Sequence, residues 1–143
     1  IQGLQCVAEK SGQLIAAGEE WRTVFDAKAR IDCRACHIVQ PEMGHTGITQ
    51  FMRIGRYAEA HHLQIIPHAT IGSGIFLAAS LQASAALSGV VHHEYQHSVF
   101  EPFRHFTNNS LICEGGAYQI TEVPGIGVEP SNAMIAAMEP VNL

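Results

Sequence analysis

The sequence predicts an α/β fold, half of a parallel (β/α) barrel, from three observations. Glu19, Glu42, His68 and Glu94 recur at intervals of 23, 26 and 26 residues. Each closes a short apolar run: LIAAGE (14–19), HIVQPE (37–42), LQIIPH (63–68) and VVHHE (90–94). A helix-like stretch follows at least the first three. This is the rhythm of a βα repeat, and a parallel barrel collects its chemistry at the C-terminal ends of its strands. Four strands leave two open edges, and a complete barrel takes roughly 250 residues. A chain of 143 residues is therefore half of one, incomplete on its own.

Each element has its own warrant. Residues 2–10 read as the end of a helix stopped by Ser11-Gly12, and 13–18 as a buried strand. From Glu20 to about Arg30 the pattern is helical, with Trp21, Val24, Phe25 and Lys28 on one face. Residues 36–40 form the next strand, with Pro41 at its end. The clearest helix is 46–62, where Ile48, Phe51, Met52, Gly55 and Tyr57/Ala58 face one way and Arg53, Arg56 and Glu59 the other. His61-His62 occupy its last turn, where the helix dipole favours them. A strand at 63–67 follows with almost no loop. After Thr70-Ile71-Gly72-Ser73-Gly74 comes an Ala-rich helix, 75–87, apolar on nearly every side, which predicts burial or a second covering layer. Gly89 ends it, and 90–96 is a fourth strand. Beyond Val99 the rhythm breaks: 100–112 is irregular, 117–121 a short strand, Pro124-Gly125-Ile126-Gly127 a turn, and Ser131 caps a last helix, 132–138.

Composition narrows the function classes. The chain is 47% hydrophobic and 15% charged with a net charge of −5, which fits one soluble globular domain. With eight basic residues and no basic cluster, it has no footprint for nucleic acid or an anionic membrane. No apolar run reaches the roughly 20 residues that span a bilayer. The chain shows no signal peptide and opens on Ile1, which suggests a fragment or a processed chain. Four cysteines in a chain this long do not form a disulfide framework, so a cytoplasmic location is expected. The sequon Asn108-Asn109-Ser110 reads as loop.

A ring of carboxylate oxygens suits a hard cation such as Mg²⁺. A metal polarising a substrate carboxylate stabilises the enediolate formed when the α-proton leaves. His68 has the chemistry of the base that takes that proton, with Glu42 on the adjacent strand end to orient it. A single strand-end Glu is more often a salt-bridge or loop-capping residue, and a lone His after Ile-Ile-Pro is more often structural. What favours a site is that four such residues share one end of four successive strands.

These residues also carry a resemblance. Gly18-Glu19-Glu20-Trp21, Gln40-Pro41-Glu42 followed by Gly47-Ile48-Thr49, Ile66-Pro67-His68 and His93-Glu94-Tyr95-Gln96 resemble the enolase superfamily. Within it they are similar to the mandelate racemase-like subgroup and its acid-sugar dehydratases. Pro124-Gly125-Ile126-Gly127-Val128 resembles that subgroup's closing P-G-L-G-V turn. The resemblance implies the C-terminal half of a TIM-like barrel of enolase-superfamily type. Residues 1–99 would supply four βα units, and 100–143 a C-terminal extension packing back toward the capping region. It implies Glu19 as the last of three Mg²⁺ ligands, His68 as general base paired with Glu42, and Glu94 as the acid at the substrate carboxylate. Thr70, Ser73 and Trp21 are candidate substrate contacts.

The implied reaction is dehydration of an aldonate or aldarate. Racemisation or epimerisation of a 2-hydroxy acid shares its first step. An inactive fragment or subunit, waiting for the missing N-terminal half with its first strands and capping domain, is the non-enzymatic alternative. The complete protein is expected to be a homo-oligomer acting on a small carboxylate. Two departures from the family pattern stand out: the dyad acid is Glu42 where Asp is usual, and only Gly47 stands where a glycine pair is common.

Other signals point elsewhere. Cys33-Arg34-Ala35-Cys36-His37 matches the haem-attachment pattern C-x-x-C-H but runs directly into a strand. The histidines at 61, 62, 92, 93, 97 and 105 suggest metal binding, yet 92 and 93 point to opposite faces of a strand. Gly72-Ser73-Gly74 is too short for a phosphate loop and reads as a rim of the site.

Overall fold

The computed structural model describes residues 1–69, 74–108 and 111–139. Helix α1 (Gln2–Lys10) leads to strand β1 (Ala16–Ala17) and helix α2 (Val24–Ile31). Strand β2 (Ile38–Val39), helix α3 (Met43–Ala60), strand β3 (Gln64–Ile65) and helix α4 (Gly74–Ala85) follow. The strands form one parallel sheet in the order β1-β2-β3, with Ala16 opposite Ile38 and Ile38 opposite Gln64. Parallel neighbours joined through helices are βαβ units, the pattern of a barrel wall. The strands are shorter than the apolar runs that predict them. Bonds from Gln40 N–H to Ala17 O, Ile66 N–H to Val39 O and His68 N–H to Pro41 O carry the pairing on to the strand ends where the polar residues stand.

The fourth strand is reduced. Val90 makes a single parallel bridge to Ile65. The Val91 and Glu94 N–H groups donate to Ile65 and Pro67 carbonyls at 3.4 and 3.2 Å. Residues 90–94 run beside β3 as expected, but no further strand pairs with their outer edge among the described residues, and the ladder stays incomplete.

Two helix faces differ from expectation for identifiable reasons. The chain turns at Gly18–Trp21, and α2 begins only at Val24, where Asp26 Oδ2 accepts from Thr23 N–H and Oγ1 at 3.0 and 2.9 Å. Its buried face is therefore Ala27 and Ile31, and Phe25 is 74% exposed. In α3, Gly47 adopts φ 60°, ψ 170°, a region open essentially only to glycine, and offsets the first turn from the long helix. Ile48, just after the break, faces solvent, while Phe51, Ile54, Gly55 and Ala58 are buried.

The main core joins Val39 and Ile65 of the sheet to Ala27 and Ile31 of α2, Phe51, Ile54 and Ala58 of α3, and Ala79 and Ala83 of α4. The opposite side of α4 gives Leu77, Ala78 and Leu81 to a second cluster with Leu111 and Val128. This explains why α4 is apolar nearly all round: one side meets the barrel wall and the other the C-terminal extension. In that extension, helix α5 (His97–Phe103) and a 3-10 turn (Arg104–Phe106) replace the irregular stretch expected over 100–112. Strands β4 (Thr107–Asn108) and β7 (Glu129–Pro130) pair antiparallel, and β5 (Ile112–Glu114) and β6 (Ala117–Gln119) form a hairpin. Helix α6 (Asn132–Ala137) starts where Ser131 Oγ accepts from Met134 N–H at 3.2 Å. Among the described residues no helix is long and apolar enough to cross a membrane.

Candidate active site

Glu42 occupies the N-cap position of α3 with an extended backbone. Short side chains dominate N-caps because they fold back onto the first turn. Here the Glu42 main-chain carbonyl serves that turn, accepting from His45 and Thr46 N–H and from Thr46 Oγ1 at 2.8 Å. Its side chain is free to reach His68, and Oε2 lies 2.7 Å from Nδ1. Glu42 is only 7% exposed, and a carboxylate that deeply placed needs such a partner. The methylene by which Glu exceeds Asp does not prevent the pairing.

Glu19 arrives from the end of β1. Gly18 lets it through: a Cβ there would lie 2.9 Å from the Gln40 nitrogen, and φ is +139°. Glu19 Oε2 stands 2.9 Å from His68 Nε2, with 58% of its side chain exposed. Glu94 Oε2 is 3.8 Å from the same nitrogen, beyond hydrogen-bond range. Its carboxylate is held instead by Ala69 N–H at Oε2 and by the Gln40 amide at Oε1, both at 3.0 Å. The four spaced residues thus meet around one imidazole. A carboxylate only accepts, so Glu42 calls for N–H at Nδ1 and Glu19, at 2.9 Å, for N–H at Nε2 in this arrangement; Nε2 offers a lone pair only when Glu19 turns away from it.

The chain matches the enolase C-terminal domain-like family over residues 1–134. It belongs to the enolase superfamily. It is 51% identical to an enolase-superfamily member from Agrobacterium tumefaciens, with a TM-score of 0.94 over 98% of this chain and 36% of that one. A Sinorhizobium meliloti protein with the provisional description of isomerase is 58% identical, with a TM-score of 0.91 over 94% of this chain and 35% of that one. D-galactonate dehydratase of Ralstonia pickettii is 32% identical over 85% of this chain and 33% of its own length. The chain thus spans about a third of the length of these relatives, as the C-terminal part of an enolase-superfamily barrel does.

In this enolase-superfamily domain, a hard cation needs roughly six oxygen ligands, more than one strand end supplies. Glu19 fits as one of them, being an exposed carboxylate at the rim. Glu42 is committed to His68, and Glu94 to Gln40 and Ala69. Among the described residues no group of three His, Cys, Asp or Glu side chains is placed to hold a metal ion.

Trp21 is buried in the main core, 6% exposed, with the Arg30 guanidinium 5.7 Å from its ring centroid. It also lines an open hollow of about 450 Å³ shared with Gly18, Glu19 and Gln40. Thr70 and Ser73 lie outside the described residues. On the far side of Glu94 a cleft of about 20 Å³, walled by Ala69, Leu77, Phe100 and Tyr118, has room for a water-sized group.

Three supporting residues escape a reading based on spacing. Gln40 stands two residues before Glu42, so the period-two rule of strands places both on one face and would have marked it. Half-buried His93 has Nδ1 2.9 Å from the Glu94 carbonyl and Nε2 2.8 Å from Ser80 Oγ. A carbonyl accepts only, so Nδ1 carries the proton and Ser80 donates to Nε2. Burial pushes the His93 imidazole below its ordinary range. Tyr118 O–H donates to the same Glu94 carbonyl at 3.1 Å. No local pattern announces His93 or Tyr118.

Proposed function

We propose that this domain belongs to a Mg²⁺-dependent acid-sugar dehydratase that removes the proton α to the carboxylate of an aldonate or aldarate and eliminates the β-hydroxyl as water. The observation that carries this reading is the Glu42–His68 pair, 2.7 Å apart, with Nε2 facing the neighbouring strand ends. The relatives named D-galactonate dehydratase, 32% and 31% identical in Ralstonia pickettii and Cronobacter sakazakii, support it.

With Glu19 turned from Nε2 to its metal-ligand role, His68 Nε2 takes the α-proton while the Glu42 carboxylate stabilises the imidazolium through Nδ1–H. The C–H electron pair passes toward the substrate carboxylate, beside which Glu94 stands. Its return expels the β-hydroxyl, which leaves as water with the proton His68 carries, and the enol product tautomerises to a 2-keto acid. Bound Mg²⁺ supplies charge neutralisation at the substrate carboxylate, with Glu19 as one ligand and the others from chain outside this sequence. The capping domain is assigned to that same chain, and residues 100–143 to the face that packs toward it. The complete protein is assigned as a cytoplasmic homo-oligomer, and residues 1–143 alone as inactive.

Screening the complete protein against aldonic and aldaric acids for 2-keto product tests the reading. His68→Asn is expected to lower turnover by about 10²–10⁴-fold. Turnover within a few-fold of the parent would remove His68 from the base role. Isothermal titration with Mg²⁺ is expected to show weaker binding by Glu19→Gln, and unchanged affinity would sink the ligand assignment.

The isomerase description of the 58% identical relative favours racemisation or epimerisation as the second reading. Both start from the same proton removal. Turnover in D₂O separates them: an isomerase returns the hydroxy acid with deuterium at the α-carbon and inverted configuration, whereas a dehydratase releases the 2-keto acid.

A further inference from the structure

Glu94 lies on the reduced fourth segment of the barrel wall, which makes one parallel bridge to β3. Beyond that bridge and the bonds of Gly89 and Val91 with Ile65, the Glu94 N–H reaches Pro67 O at 3.2 Å, and no strand pairs with the outer edge of the segment among the described residues. A strand-end carboxylate needs its backbone fixed if its oxygens are to hold a useful position. Glu94 obtains this from side chains. Gln40 Nε2 donates to Oε1 and Ala69 N–H to Oε2, each at 3.0 Å, so both oxygens are held and the carboxylate plane is set. On the other side its main-chain carbonyl, which the incomplete ladder leaves available, accepts from His93 Nδ1 at 2.9 Å and Tyr118 O–H at 3.1 Å.

We propose that Gln40 and Tyr118 are positioning residues that fix Glu94 from opposite sides, Gln40 at its carboxylate and Tyr118 at its main chain, so that the C-terminal hairpin is a working part of the site. The proposal rests on the reading of Glu94 as the acid beside the substrate carboxylate. Gln40 is suited to the role because its own N–H donates to Ala17 O at 2.9 Å, which seats it between β1 and the Glu94 carboxylate. An amide nitrogen can only donate, the complement of an oxygen that can only accept. Tyr118 projects from β6 and packs edge-on against His93, with ring centroids 5.7 Å apart. Burial pushes its hydroxyl above the ordinary tyrosine range, so it remains a donor. His93 in turn is tied to α4 through Ser80. Wall, helix and hairpin therefore meet at one residue.

The test is a double-mutant cycle in the complete protein. Glu94→Gln alone is expected to lower kcat by about 10²-fold or more. Gln40→Leu and Tyr118→Phe, which remove the donors and keep the bulk, are each expected to lower kcat about ten-fold with KM within about two-fold. Gln40→Glu, which sets like charge against Glu94, is expected to lower kcat further. In the Glu94→Gln background, Gln40→Leu and Tyr118→Phe should lose most of their effect, because they act through Glu94. Full additivity in that background, or single variants that match the parent, would overturn the positioning role while leaving the reaction assignment intact. A harmless Glu94→Gln would overturn the reading of the site itself. If Gln40→Leu fails to fold, Tyr118→Phe, which preserves the ring packing, decides.

Discussion

At the C-terminal end of the sheet, Glu19 and Glu42 point at the two ring nitrogens of His68, and Glu94 stands behind them. At the N-terminal end of the same strands, Asp32, Cys33, Cys36, His37 and His61 also bring acid, thiol and imidazole side chains together, and their polar contacts tie neighbouring helices and strand ends to one another. His37 Nδ1 accepts from Ile15 N–H at 3.0 Å, and Cys33 Sγ donates to Arg30 O at 3.3 Å. Asp32 pairs with Lys28 and Tyr57. A hollow of about 320 Å³ opens there too, lined by Cys36, His37 and His61. Neither a cavity nor reactive residue types distinguish the two ends. What differs is the centre of convergence: one end gathers carboxylates around an imidazole, a group that can exchange a proton, and the other gathers Lys28, Tyr57 and His61 around the Asp32 carboxylate on the helix surface. The C-x-x-C-H run lies at the second end, and its residues serve the start of β2.

The comparison breaks first at its histidines. In the complete protein, turnover should fall by about 10²–10⁴-fold for His68→Asn, while His37→Leu should leave kcat near the parent value. The His37 variant should instead lose about 1–3 kcal/mol in chemical denaturation, because it leaves the Ile15 N–H without its acceptor. A folded His37→Leu with no turnover would mean that both ends do chemistry.

Acid titration separates the two ends of the fourth strand segment. Glu59 anchors its start through bonds from Ser88 Oγ and the Gly89 N–H. Burial opposes its ionisation, but those bonds, the Arg56 ion pair and the Ser88 N–H outweigh burial and hold the carboxyl at about 2. A depressed carboxyl stabilises the fold above its unfolded value near 4.5, and that contribution is lost as pH falls toward 2. His93, at the other end, is held below its ordinary 6.5 by burial. The unfolded chain therefore binds a proton there before the folded one does, and stability declines as pH falls below about 6.5. Thermal midpoints against pH should show the His93 decline first and the Glu59 decline lower. Glu59→Gln should reduce only the second, to which Asp26, Asp32 and Glu101 also contribute because their carboxyls are held low by hydrogen bonds.

The smallest effect is a reactivity difference. Burial, with Cys33 close by, pushes the Cys36 thiol up to about 11, so it should resist iodoacetamide at pH 8 while exposed Cys6 is alkylated. Peptide mass spectrometry reads both. Rapid labelling of native Cys36 would mean that the N-terminal end is open and reactive after all.

Much of this was legible without coordinates, and the exceptions have local causes. The apolar runs placed three parallel strands correctly, because period and helix alternation depend only on neighbouring residues. The all-apolar character of α4 foretold its two covered sides. The helical period groups Phe25 with Trp21 and Ile48 with Phe51, yet both stand exposed, because neither the turn at Gly18–Trp21 nor the dihedral angles of Gly47 can be read from hydrophobic period. The run 90–96 reads as a full strand but keeps only the Val90 bridge, because a strand persists only where partners lie on its edges, a property of the sheet and not of the segment.

The sequence by itself determined which residues stand at the strand ends and which side of the barrel wall is polar, since backbone geometry links spacing to face. Only the tertiary structure decided that Glu42 takes Nδ1, that Glu19 faces Nε2, and that Glu94 is held by residues 54 positions before and 24 positions after it. Those contacts depend on register between parallel strands and on a hairpin laid over α4. The collective packing of the core sets them, and no local pattern encodes them.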